Sequence, residues 1–149
     1  SGVGGLRDVA VTVPLAVEPG DTVILRCTYD LEGDPLYTVK WYKGRQEFFR
    51  YVPKELPHTR VFPLPGVNVD ISASGAHQVV LRSVQMDLAG KYRCEVSADA
   101  PSFHTYVVSS HMHVVCEFPP PPLINTDLYC DLNCLRIRVV GRLVSMVAT

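Results

Sequence analysis

The sequence predicts an all-β chain folded as two facing antiparallel sheets, and three observations carry that prediction. Cys27 and Cys94 lie sixty-seven residues apart, each within a run of alternating apolar residues. Trp41 stands fourteen residues after the first of them. Tyr92 sits two residues before Cys94 in the stretch Gly-Lys-Tyr-Arg-Cys at 90–94. A disulfide bridging two sheets over a buried tryptophan, with a tyrosine hydroxyl bonded back to the backbone, closes a sandwich core from these residue types at this spacing.

That plan is an immunoglobulin sandwich, and the wide cysteine gap leaves room for two extra strands, which makes it variable-type. The expected fold class is therefore an immunoglobulin variable-type β-sandwich with an irregular Pro-rich C-terminal tail. The expected layout is an N-terminal extension over 1–7, the domain over 8–115, and a linker with a poorly specified tail over 116–149.

Period-two alternation justifies the strands in turn, because it sends one face inward and the other to solvent. Val9, Val11 and Val13 share a face on strand A (8–13), and a short A′ begins at Val17. Val23, Leu25 and Cys27 do the same on B (21–29). Strand C (37–43) holds Trp41, and C′ (46–52) follows the turn at Lys43-Gly44. A loose C″ at 59–62 lies in a segment with Pro53, Pro57, Pro63 and Pro65, which cannot donate to a ladder and so mark an edge or loop. Strand D is expected at 67–71, E at 78–82 with Val79 and Leu81 inward, F at 90–97 with Tyr92, Cys94 and Val96 inward, and G at 105–115. Turn signals at 18–21, 32–35, 65–66 and 72–75 separate these runs. No window carries a 3.6-residue period, so no helix is expected beyond a turn near 84–89.

One local rule breaks. Most such domains carry an acid six residues before the second cysteine, paired with a base across the foot of the sandwich. Here that position is Leu88, with Asp87 one place earlier.

Composition narrows the function. The 149 residues are 47% hydrophobic and 19% charged, with a formal net charge of −1, so nothing pulls the chain toward nucleic acid or an anionic membrane. Structural disulfides persist in oxidising compartments, which points to an extracellular, secreted or cell-surface setting. The opening Ser-Gly-Val-Gly-Gly has no initiator Met and reads as a processed chain or a fragment. The apolar stretch 135–148 is too short to span a bilayer and carries Arg136, Arg138 and Arg142.

Reactive constellations are sparse. Asp99, Ser102 and His104 lie in the F–G connection, but no nucleophile turn or oxyanion donor pair accompanies them, and no catalysis or small-molecule substrate is expected. His111, His113, Cys116, Cys130 and Cys134 offer zinc-type donors at a spacing that matches no common zinc motif. A disulfide from Cys130 to Cys134, or from one of them to Cys116, is the preferred reading, with one thiol left odd. No metal or cofactor is expected. Phe118 and the four prolines after it resemble ligands of cytosolic EVH1 modules, but read as a stiff hinge after a disulfide-bonded domain.

A binding face remains. With Trp41 inward, Thr38, Lys40 and Tyr42 point outward on the G-F-C-C′ sheet, as do Lys91, Arg93 and Glu95 from F. Strand C′ adds Phe48, Phe49, Arg50 and Tyr51, of which alternate members must leave the core. Aromatic side chains interleaved with arginine are the composition of interface hot spots.

At these residues the chain resembles a known family. The runs KWYKGRQEFFRYVPKELP (40–57), CEVSADAPSFHT (94–105) and LRDVAVTVP (6–14) closely resemble the beaten path family of neuronal immunoglobulin-superfamily proteins. The resemblance covers about 6–115, and strand G lacks the Phe-Gly-x-Gly bulge of antigen receptors. It implies a cell-recognition and adhesion module of axon guidance and neurogenesis. The implied partner is a cell-surface protein of the sidestep family, bound heterophilically through the G-F-C-C′ sheet to set where axons defasciculate. By matching position, the implied contact residues are Lys40, Tyr42, Phe48, Arg50, Tyr51, Glu95 and Phe103. Residues 116–149 do not resemble the second immunoglobulin domain with which the family normally continues. Homophilic adhesion through the same face is the alternative, and a zinc protein using the His/Cys-rich end is a second one.

Overall fold

The computed structural model describes residues 5–115 in full and, beyond them, the backbone of three further strands. Within 5–115 the chain forms β1 (Arg7–Thr12), β2 (Ala16–Val17), β3 (Val23–Asp30), β4 (Leu36–Lys43), β5 (Gln46–Tyr51), β6 (Thr59–Val61), β7 (Gln78–Leu81), β8 (Gly90–Ala98) and β9 (Thr105–Val114). These correspond to A, A′, B, C, C′, C″, E, F and G. One sheet has the order β1-β3-β7, the other β2-β9-β8-β4-β5-β6. All pairs are antiparallel except β2 with β9, whose parallel register sets Val17 against Val114.

The two sheets face each other across an apolar core. Leu25 and Cys27 from β3 meet Val39 and Trp41 from β4, Tyr92, Cys94 and Val96 from β8, and Met112 and Val114 from β9, all buried. Cys27 and Cys94 form a disulfide between the sheets, with Cα atoms 6.3 Å apart. Trp41 lies directly opposite Cys94 in the β4–β8 ladder, which places the indole beside the bridge. Tyr92 donates its hydroxyl to the Leu88 carbonyl at 2.6 Å, the tyrosine corner expected of this sandwich.

Strand D is not formed as expected. The segment 67–71 keeps one isolated bridge, Val69 to Leu81, and then turns into a short 3-10 helix over Ile71–Ala73. Local polar groups draw the chain away from the ladder. Ser72 Oγ donates to the Asp70 carboxylate, Ser74 Oγ donates to the Asp70 carbonyl, and the Val80 N–H is taken by Ser74 Oγ. The expected turn near 84–89 is a second 3-10 helix, Met86–Leu88.

Leu88 fills its position as a buried core residue. Asp87 turns out instead, and its carboxylate takes the space that a side chain at Gly66 would need. The N-terminal boundary also moves: Leu6, assigned to an extension, is buried in the core cluster.

Residues 127–146, where sequence reading expected no regular structure, contain β10 (Asp127–Asp131), β11 (Cys134–Val139) and β12 (Arg142–Met146). They pair antiparallel in that order, with Cys130 opposite Leu135 and Ile137 opposite Val144. The Pro-rich stretch and the side chains of Cys116, Cys130 and Cys134 lie outside the described residues.

Candidate functional site

The outer face of the six-stranded sheet is built by register. Residues directly opposite in a ladder share a face, so the inward pair Trp41 and Cys94 fixes its neighbours as outward. One outward row runs Val107, Glu95, Lys40, Arg50, Arg60 across β9, β8, β4, β5 and β6. The next runs Ser109, Arg93, Tyr42, Glu47.

A bulge in β5 decides which side chains reach this face. Trp41 pairs with Phe49 while Tyr42 pairs with Glu47, so Phe48 has no partner on β4. A bulge breaks strict alternation. Phe48 and Phe49 consequently both point inward and both are 0% exposed. The bulge also brings Glu47 and Arg50, three residues apart, to the same side, which a regular strand forbids. Arg50 grips Glu47 with two hydrogen bonds, Nε to Oε1 at 2.7 Å and Nη2 to Oε2 at 3.0 Å.

Two of the expected contact residues are therefore corrected. Phe48 is core, its ring 6.1 Å edge-on from that of Tyr92, and no partner reaches it. Tyr51 lies opposite Val39, on the inward side, half-buried against the core and tilted over His58 at 5.8 Å. Lys40, Tyr42, Arg50 and Glu95 do share the outer face. Phe103, 68% exposed, stands in the connection between β8 and β9.

The outward groups form a network. The Tyr42 hydroxyl points at Glu95 Oε2 at 3.5 Å, and Lys40 Nζ lies 4.0 Å from Glu95 Oε1. Partial burial, then the Glu95 and Glu47 carboxylates, push the Tyr42 phenol above its ordinary range. The Glu47 hydrogen bond holds the Arg50 guanidinium above its own. Arg50 also lies over the Phe62 ring at 5.4 Å, a cation–π contact.

At the end of the sheet, Lys54 reaches across to Asp99 at 2.5 Å, tying the connection after β5 to the one between β8 and β9. Asp99 also accepts from the Ala100 N–H. Both carboxylate oxygens are so engaged, and the His104 ring packs edge-on to Tyr106. Asp99, Ser102 and His104 thus form no relay. Among the described residues no group of three or more His, Cys, Asp and Glu side chains is placed to hold a metal.

Sequence reading missed five contributors. Val107 was within reach, since β9 pairs regularly with β8 and Glu95 fixes its side. Tyr37 and Leu56 are exposed, Arg60 lies in the middle of the short edge strand β6, and Phe62 directly follows it. That strand sits among prolines, where no alternation is long enough to read.

The comparisons agree with this architecture. Residues 13–105 match the family model described as immunoglobulin domain, and the chain belongs to that family. A search of curated proteins finds no match. Among solved structures, domain 1 of VCBP3 from Branchiostoma floridae is similar, with a TM-score of 0.53 and 24% identity over 76% of this chain and 97% of that one. The V domain of amphioxus IgVJ-C2 is similar at a TM-score of 0.54, with 13% identity over 67% of this chain and 98% of that one. Both are likenesses of fold, and they fix the sandwich as variable-type. The protein is an immunoglobulin-domain module, of a family whose domains typically mediate recognition between proteins and are typically non-enzymatic. Its inter-sheet disulfide fits an extracellular or cell-surface setting. Among the described residues no helix is long and apolar enough to cross a membrane.

Proposed function

We propose that the chain is the first variable-type domain of a beaten path-like protein. In this reading it acts outside the cell in axon guidance and defasciculation. It binds a sidestep-family cell-surface protein heterophilically through the outer face of the β9-β8-β4-β5 sheet. Residues 8–115 carry the recognition, and the segment that follows is an appendage to it.

The observation that supports it most is the outer face itself. Tyr42 is held in a half-buried network with Glu95, Arg50 is fixed by Glu47, and exposed Phe103 stands at the rim. Rigid aromatic and arginine side chains lose little entropy on docking and supply the anchors of protein interfaces. The sequence resemblance over 40–57 and 94–105 falls on the strands that build this face.

Biosensor binding of the whole chain to a panel of sidestep-family ectodomains tests it. Saturable binding that is lost in Tyr42→Asp, with thermal unfolding unchanged, is the expected result. Silence across the panel from a folded sample removes the assignment. Sedimentation at rising concentration then shows whether the same face meets a second copy.

A further inference from the structure

Arg93 stands at the middle of the outer face without an acidic partner. It lies on β8 between Ser109 of β9 and Tyr42 of β4, and its Nε is covered yet has no hydrogen-bond acceptor among the described residues. A covered donor left unmade is costly, and native proteins keep few of them. The surrounding charge is one-sided. On the strands, the outer face carries Lys40, Arg50, Arg60, Lys91 and Arg93 against only Glu47 and Glu95. Glu47 is engaged by Arg50 and Glu95 by Lys40 and Tyr42. Arg60, Lys91 and Arg93 are left with no carboxylate within ion-pair distance among the described residues.

We propose that this face recognises an acidic protein surface, and that Arg93 is the seat for one of its carboxylates. The inference rests on the outer face being the binding surface and adds the chemistry of what it binds. Arginine suits the task because its planar fork donates two parallel hydrogen bonds to a carboxylate. Tyr42 and Val107 beside it give the seat an apolar border, which strengthens a charged contact by excluding water. The fixed Glu47 and Glu95 carboxylates disfavour a polysulfated glycan, which would lay a continuous anionic track across them. A partner carboxylate set against Arg93 avoids both. Complementary charge of this kind also speeds encounter and screens out acidic-poor partners.

The test is a nitrogen-15 NMR titration of the whole chain with a capped diglutamyl peptide, its diglutaminyl twin and a heparin oligosaccharide. Saturable shifts of the Arg93 Nε–Hε signal and of the Tyr42 and Ser109 amides are expected with the diglutamyl peptide. The twin should bind about tenfold more weakly, since it replaces charge-assisted hydrogen bonds by neutral ones. Arg93→Gln should abolish the response, and Arg93→Lys, which keeps the charge and loses the fork, should weaken it. Arg26→Glu, an equal or larger charge change on the solvent side of β3, should leave it intact. Equal response to both peptides overturns the proposal, as does a response mapped off this face. So does a heparin response that survives Arg93→Gln while the peptides are silent. A silent sidestep panel with a positive peptide titration removes the named partner and keeps the acidic seat. A positive panel with silent peptides does the reverse.

Discussion

The Tyr92 hydroxyl donates to the carbonyl oxygen of Leu88, four residues upstream, at 2.6 Å in a fully buried setting. It joins the start of β8 to the 3-10 turn that precedes it. Tyr92→Phe keeps the ring and its edge contact with Phe48 but strands the carbonyl. The expected loss is about 1–3 kcal/mol, read as a lower urea midpoint at unchanged slope.

Phe48 and Arg50, two residues apart on β5, should behave oppositely. Phe48→Ala empties a fully buried site and is expected to cost about 3–5 kcal/mol in chemical denaturation. Arg50→Ala removes a partly exposed ion pair and should cost under about 1 kcal/mol. Equal costs would mean that the bulge is misplaced.

Leu88→Asp would place an acid at the position where most such domains have one, without supplying a base. The side chain would sit unpaired in the core, because Leu88 is fully buried. A loss of at least about 3 kcal/mol is expected. Unchanged stability would show that the site opens to water or finds a cation.

Alkaline pH should destabilise the domain earlier than its disulfide chemistry would. Burial pushes the Tyr29 phenol up to about 12, and burial together with Asp87 raises Tyr92 further. Both stay protonated in the folded chain when the unfolded chain has already ionised, above about pH 10. Their contribution is therefore complete below pH 10 and is lost as pH rises through the folded values. Denaturation midpoints should hold level between pH 8 and about 10 and fall beyond it, with a smaller fall in Tyr29→Phe.

Replacing Cys27 and Cys94 by Ala removes a bridge across 67 residues of chain. A loss of about 2–5 kcal/mol is expected, measured by equilibrium unfolding. Both sulfurs are buried, so the bridge of the intact domain should resist mild reductant until the fold opens.

The sandwich was legible because its informative residues lie on regular strands. Cys27, Trp41, Tyr92 and Cys94 keep strict alternation, and their spacing is set by the architecture. Lys40, Tyr42 and Glu95 could be placed outward for the same reason. Phe48 could not, because a bulge changes the phase of alternation and leaves no mark in residue type. Tyr51 is a different case: it follows outward Arg50 on a regular stretch of β5, so alternation alone sends it inward, and only the resemblance had set it on the face. Strand D failed differently: Val67, Val69 and Ile71 alternate as a strand should, but Asp70, Ser72 and Ser74 offered the backbone a competing set of hydrogen bonds. Of the strands at 127–146, β11 does alternate, with Leu135, Ile137 and Val139 set between Arg136 and Arg138, and was legible in principle; β10 and β12 carry no such run, so pattern did not announce a sheet.

The phase change at Phe48 has a practical consequence for anyone who would re-engineer this surface. A mutagenesis library that randomises every second residue of β5 would open positions 46, 48 and 50, and its members altered at 48 would mostly fail to fold. The productive set is 47 and 50, a spacing no alternating scheme contains. The same holds when this chain is aligned with relatives that lack the extra residue. Without a one-residue gap at that point, an outward side chain of theirs would be matched to Phe48 or to Phe49, depending on which end of the strand is anchored, and a core ring would be mistaken for divergence in specificity.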